Sequence, residues 1–150
     1  MEASESKLLL IIFVAFPFLW IFAIFILSQF SGWAGLAEHY KSDRPINASK
    51  SRFRTMSLGR GTILDVNFSN VVTLEGDSEA IALSLMFPFH FYHPRLVIPL
   101  QDISAETFRY FGILKAVRFT FSKSPQTKLT ALRSWANWVE QNSNGAWSIN

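Results

Sequence analysis

The sequence predicts an N-terminal transmembrane α-helix followed by a small, mainly-β domain that closes with one C-terminal α-helix. Three observations predict it. Leu8 to Leu27 is a run of twenty residues with no charged or polar side chain. From Arg52 to Phe121 apolar residues recur mostly with a period of two. From Leu129 to Val139 the period lengthens to three and four, the spacing of one helix face.

The apolar run sets the division of the chain. At about 1.5 Å per residue it is about 30 Å long, the thickness of a bilayer's hydrocarbon core. Pro17 falls inside it. A membrane span tolerates proline because neighbouring groups satisfy the freed carbonyl, so a kink is expected there. A cleaved signal peptide is the competing reading, with Gly32-Trp33-Ala34 as a loose cleavage site. Signal cores are only about 7–15 residues long, which favours the span. Residues 1–7 then form a tail, 8–30 the transmembrane helix, 31–51 an interfacial helix and linker, and 52–150 the β-rich domain.

Charge gives the orientation. Glu2, Glu5 and Lys7 precede the run, whereas after it residues 41–60 carry Lys41, Arg44, Lys50, Arg52, Arg54 and Arg60 against the single acid Asp43. Basic residues stay on the cytoplasmic side. The expected location is therefore the inner membrane, single-pass, with the C-terminal domain cytoplasmic. The chain is 49% apolar with fifteen Phe, too hydrophobic for disorder. It has no cysteine, which excludes disulfides and thiolate metal sites. Residues 65–106 carry six acids against Arg95, and residues 109–133 carry six bases and no acid.

After the span, Trp33, Leu36, Ala37 and Tyr40 fall on one helical face. Trp and Tyr favour the membrane–water boundary, so Trp33 and Tyr40 are expected there, on a helix lying along the interface or against the domain. Arg44-Pro45 ends that helix, since a residue before proline is pushed out of helical angles. Residues 46–51 read as linker.

In the domain, alternation over 52–56 predicts a strand with Phe53 inward and Arg52 and Arg54 facing solvent. Gly59-Arg60-Gly61 is a turn. Residues 63–68 and 71–74 read as two short strands, ending at Glu75-Gly76-Asp77. Ile81, Leu83, Leu85 and Phe87 mark a strand with one face in a core. Leu96 to Leu100 is another, where Pro99 points to an edge. Residues 108–114 are a weaker strand signal, and Val117, Phe119 and Phe121 a clear one. Ser124-Pro125 suggests the cap and first turn of the last helix, with a second possible start near Thr130. Leu129, Leu132, Trp135, Ala136 and Val139 form its apolar face, and residues 142–145 stop it. Leu132 and Trp135 are expected to be buried.

A small barrel plugged by a C-terminal amphipathic helix is the architecture of pleckstrin-homology and GRAM-like domains, an analogy of pattern. A second likeness rests on short elements. Ser31, Gly32, Trp33, Leu36, Ala37 and Tyr40 form Ser-Gly-Trp-x-x-Leu-Ala-x-x-Tyr, and His93, Pro94, Leu96, Ile98 and Pro99 form His-Pro-x-Leu-x-Ile-Pro. In these the chain resembles a widespread group of small bacterial single-span membrane proteins. That resemblance implies architecture and no chemistry.

Chemical motifs are sparse. His90 and His93 are three apart, which on a strand sends them to opposite faces, with no third ligand to complete a metal site. No nucleophile elbow frames a serine. Gly59-Arg60-Gly61 lacks the context of a nucleotide loop. No enzyme and no cofactor is expected. No aromatic RNA-reading motif accompanies the basic residues, so nucleic acid is not an expected partner. Lys50, Arg52, Arg54 and Arg60 are the candidate lipid-binding residues, because basic groups beside a span are drawn to anionic headgroups. The expected function is a membrane-anchored binding module that docks on lipid headgroups or protein. The alternative is an accessory single-span subunit of a larger membrane complex, suggested by the aromatic richness of Phe13, Phe16, Phe18, Trp20, Phe22 and Phe25.

Overall fold

The computed structural model describes residues 2–46, 49–110 and 112–149. A long helix, α1 (Ala3–Ser31), is followed by a short one, α2 (Trp33–Tyr40). Seven strands follow: β1 (Lys50–Gly59), β2 (Val66–Gly76), β3 (Ala80–Leu85), β4 (Leu96–Pro99), β5 (Ile103–Tyr110), β6 (Leu114–Phe121) and β7 (Ser124–Leu132). A single 3₁₀ turn, Leu100–Asp102, joins β4 to β5, and α3 (Arg133–Asn142) ends the regular structure. The strands make one curled antiparallel sheet in the order β4-β3-β2-β1-β7-β6-β5. Pro99, which cannot donate to a ladder, lies in the edge strand β4 as the sequence predicts.

α1 is long and apolar enough to cross a membrane, and most of its side chains face away from the domain. Pro17 sits inside it. Its last turns are different: Ile24, Ser28 and Ser31 are buried. Gly32 then breaks the helix at φ 89°, in the left-handed region that favours glycine. A Cβ there would stand 2.9 Å from the Thr127 hydroxyl, so the chain turns where only glycine fits. One continuous helix out of the apolar run is thus replaced by two helices with a sharp joint.

The core lines the inner face of the sheet. Met56, Leu58, Val72, Leu74, Leu83, Ile98, Val117, Phe119, Phe121 and Leu129 are all buried. α2 contributes Trp33, Leu36 and Tyr40 to this core, and α3 contributes Trp135, Ala136 and Val139. Trp33 meets Phe68 on β2 at 6.1 Å between ring centroids, whereas a Cβ on Gly76 of the same strand would touch Trp138 of α3 at 3.0 Å. Seven residues of β2 separate those two contacts, so the helices cover different ends of the sheet. Trp147, beyond α3, also returns to the core. Its ring stacks on Phe119 and its indole N–H donates to the Ile103 carbonyl at 3.0 Å.

Several expectations are corrected. Residues 66–76 form one strand rather than two, because a bulge at Asn70 (φ 60°) bends β2 without ending it. Thr55 pins that bulge, its hydroxyl accepting the Asn70 N–H at 2.9 Å. Ile63 and Leu64 belong to the β1–β2 turn, 94% and 85% exposed. β3 is buried on both faces along most of its length, since Ile46 packs with Ala80 and Ala82 on the face away from the main core. Ser124-Pro125 opens strand β7 rather than a helix, so α3 starts at Arg133 and Leu132 points outward, 57% exposed. Ile46, in the expected linker, is buried with Ala80, Ala82 and Val97.

Candidate functional site

The expected lipid-binding residues do not share one site. Lys50 opens β1 with its Nζ 3.8 Å from a Glu75 carboxylate oxygen. Glu75 is buried and also takes Arg95 at 3.1 Å. Arg60 lies beyond the other end of β1, ten residues and about 30 Å along an extended strand. Between them Phe53 adopts φ 58°, and the register of β1 on β2 shifts on either side of Arg54. The bulge upsets the alternation. Phe53 turns out to solvent and Arg52 is exposed, while Arg54 tucks in beneath α3. There its guanidinium lies 5.7 Å from the Trp135 ring centroid and donates to the Ser134 carbonyl at 3.4 Å. Burial lowers its pKa from the usual arginine value. Arg54 is half-buried against the α3 cap rather than wholly open to solvent.

Trp33 and Tyr40 turn their rings into the protein rather than outward. Both are buried in the protein core. The Trp33 indole N–H donates to the Pro94 carbonyl at 2.9 Å. The Tyr40 hydroxyl donates to Asp102 at 3.1 Å and accepts the Lys123 N–H at 3.1 Å, and burial is the main cause of its raised pKa. Their amphipathic rings find an apolar body and polar partners inside the domain, the same need that a membrane boundary meets.

A basic cleft forms instead at the β1–β2 tip. Asp65 organises the tip, its carboxylate accepting the N–H groups of Arg60, Gly61 and Thr62 at 3.0, 3.0 and 3.1 Å. A Cβ on Gly59 would stand 2.3 Å from that carboxylate, so glycine lets the acid fold back on the strand. The tip leans over Arg118 on β6. That guanidinium lies 4.5 Å above the Phe108 ring centroid and donates to the Gly61 carbonyl at 3.5 Å. Its Nε is buried without a hydrogen-bond partner. A cavity of about 530 Å³ opens here, with Arg118 and Arg109 beside Ser57, Thr62 and Thr130. Arg109 also borders an adjoining hollow with Lys115 and Arg133. Glu106 sits opposite Arg118 in register, and no ion pair joins them among the described residues.

Two guanidinium groups beside three hydroxyls suit an anion with several oxygens, such as a phosphate ester. The cleft runs from the β1–β2 tip, on the side of the sheet where α1 arrives, toward Arg109 and the start of α3. Gly59 pairs with Lys128, whose neighbour Thr127 packs against Gly32. Of the sequence-selected bases only Arg60 belongs to this tip. Arg109 and Arg118 were hidden in the acid-free run of residues 109–133, because no period in that run says which strands will share a face.

The two histidines part company. His93 is buried, its Nδ1 2.8 Å from the Phe91 carbonyl and its ring edge-to-face with Trp33 and Phe68. Burial lowers its pKa, so it stays neutral, and its Nε2 has no hydrogen-bond partner. His90 is exposed and lies 4.4 Å from Phe91, centroid to centroid. Compared with family models, curated proteins and solved structures, the chain matches none. What stands from the fold is one N-terminal helix apolar enough to span a bilayer, carrying a curled seven-stranded domain capped by a C-terminal helix.

Proposed function

We propose that this chain is a single-span inner-membrane protein whose cytoplasmic domain is a non-enzymatic module that docks phosphate-bearing lipid headgroups. The observation that carries this reading is the position of the basic cleft. Arg118 opens beside the β1–β2 tip, whose base at Gly59 pairs with Lys128 next to the Thr127 that meets Gly32 at the α1–α2 joint, and Arg109 extends the cleft toward the start of α3. Exposed Ile63 and Leu64 flank Arg60 on the same tip, a pairing of apolar and basic side chains suited to a headgroup layer. The seven-strand order with a C-terminal helix supports the likeness to pleckstrin-homology and GRAM-like domains. That likeness concerns architecture and names no ligand.

The test is the thermal stability of the full chain in nanodiscs of phosphatidylglycerol or of phosphatidylcholine. The anionic lipid should raise Tm at 0.1 M salt and lose its advantage at 1 M, where the Debye length falls from about 10 Å to about 3 Å. Arg60→Glu with Arg109→Glu should abolish the difference, since both side chains are exposed and leave the core intact. Equal Tm in both lipids would refute headgroup docking.

A second reading, the accessory subunit, draws on α1. Phe13, Phe16, Phe18 and Phe22 are all more than 60% exposed, an aromatic surface larger than anchoring requires. A stoichiometric partner co-purifying in mild detergent, and lost when these four residues become Leu, supports that role.

A further inference from the structure

The loop from β3 to β4, residues 86–94, reads Met-Phe-Pro-Phe-His-Phe-Tyr-His-Pro and lies along α1 rather than out in solvent. The Phe89 ring packs on Trp20 at 5.9 Å between centroids, and Tyr92 meets Phe25 edge-on at 5.2 Å. The Ser28 hydroxyl, buried in α1, donates to the Tyr92 carbonyl at 2.7 Å. These contacts fix where the loop sits along the helix. Leu27 ends the apolar run, so Phe25 lies about 3 Å inside that boundary and Trp20 about 10 Å inside it, at 1.5 Å per residue. Half of a hydrocarbon core is about 15 Å.

We propose that this loop is a membrane-embedded wedge that inserts its aromatic side chains among the acyl chains of the leaflet on the domain's side. The inference rests on reading α1 as a bilayer span. Given that span, a ring packed against Trp20 is at acyl-chain depth, and the solvent-facing Phe87, 75% exposed, lies on the same loop with Phe91 at 6.1 Å. Part of the loop's backbone is satisfied by the protein itself, which lowers the cost of membrane depth. Here the Phe89 N–H donates to the Met86 carbonyl at 2.8 Å and the His93 N–H to the His90 carbonyl at 3.1 Å. The Phe91, Tyr92 and Pro94 carbonyls take His93 Nδ1, the Ser28 hydroxyl and the Trp33 indole. Pro88 and Pro94 have no N–H to satisfy. The exposed His90 ring lies tilted against Phe91 and Phe87, at 4.4 and 5.5 Å between centroids.

The wedge differs from the basic cleft in the lipid part it contacts. It meets acyl chains, so it is insensitive to headgroup charge and to salt. The absence of cysteine makes the test direct. Single Cys variants of the full chain at Phe87, Tyr92, Phe13 and Gln141 are spin-labelled in phosphatidylcholine nanodiscs. Collisions with dissolved oxygen and with a water-soluble nickel chelate are then compared. Phe13 is the span control and Gln141, exposed on α3, the water control. Labels at 87 and 92 should behave like the label at 13, rich in oxygen collisions and shielded from the chelate. Labels at 87 and 92 that behave like 141, with 13 still shielded, overturn the wedge alone. A label at 13 that is open to the chelate overturns the span reading and the wedge with it.

Discussion

α2 and α3 do the same packing work from opposite connections. α3 follows β7 directly and lays Trp135, Ala136 and Val139 on the sheet. α2 follows α1 after the single residue Gly32 and supplies Trp33, Leu36 and Tyr40. One cap comes from within the domain, the other from the helix apolar enough to span the bilayer. The difference is mechanical. Movement at α3 would loosen only the domain, whereas α2 makes the exit of α1 part of the domain's core. The domain is thereby held in one orientation on α1.

The largest expected effect is on α2. Trp33→Ala removes a fully buried indole and leaves the Pro94 carbonyl without its donor. It should cost about 3–5 kcal/mol for the lost packing and about 1 kcal/mol more for the hydrogen bond, read from denaturant unfolding of the full chain in micelles. A loss under about 1 kcal/mol would reduce α2 to a peripheral linker. On the other cap, Trp135→Ala should also cost about 3–5 kcal/mol, and it frees Arg54 from its ring contact. Leu132→Ala, one turn earlier and exposed, should stay within about 0.5 kcal/mol. Equal losses at 132 and 135 would mean that α3 begins earlier than Arg133.

The joint itself is the next target. Gly32→Ala forces a side chain into a left-handed backbone and against Thr127. About 1–3 kcal/mol of destabilisation is expected, and Thr127→Ala in the same chain should recover the part due to contact while leaving the backbone strain. A smaller effect is a pH dependence from His93. Burial depresses the pKa of His93, so the folded chain takes up a proton there less readily than the unfolded chain. Stability is therefore full above the unfolded value of about 6.5 and falls as pH drops below it, by at most about 1.4 kcal/mol per pH unit, until His93 protonates in the fold. His93→Gln should flatten that slope in urea titrations between pH 7 and pH 5. An unchanged slope would assign it to other groups.

The sequence made some of this legible. Leu8 to Leu27 announces α1 by length alone, and Val117, Phe119 and Phe121 lie inward on β6 as their alternation requires. Pro99 marks an edge because a missing N–H has the same consequence in any sheet. The errors share a physical cause. Bulges at Phe53 and Asn70 reset the period of two, so the expected faces of β1 inverted at Arg54 and β2 looked like two strands. Residues 124–132 carry apolar groups at spacings that suit a strand and a helix alike, and pairing with β6 decides for the strand. Trp33 and Tyr40 suit a membrane boundary and a buried cap equally well by composition. The cleft needed the sheet order, which brings Gly61 and Arg118 together across 57 residues.

The fixed orientation of the domain on α1 is tested most directly by one distance. Spin labels at Phe18→Cys and Gln141→Cys, both exposed, report across the joint in nanodiscs by pulsed dipolar spectroscopy. A domain whose core includes α2 gives a single narrow distance distribution, which broadens when Trp33→Ala is added. A broad distribution in the otherwise unaltered chain would show a domain swinging on a flexible tether and would contradict a core shared with the exit of α1.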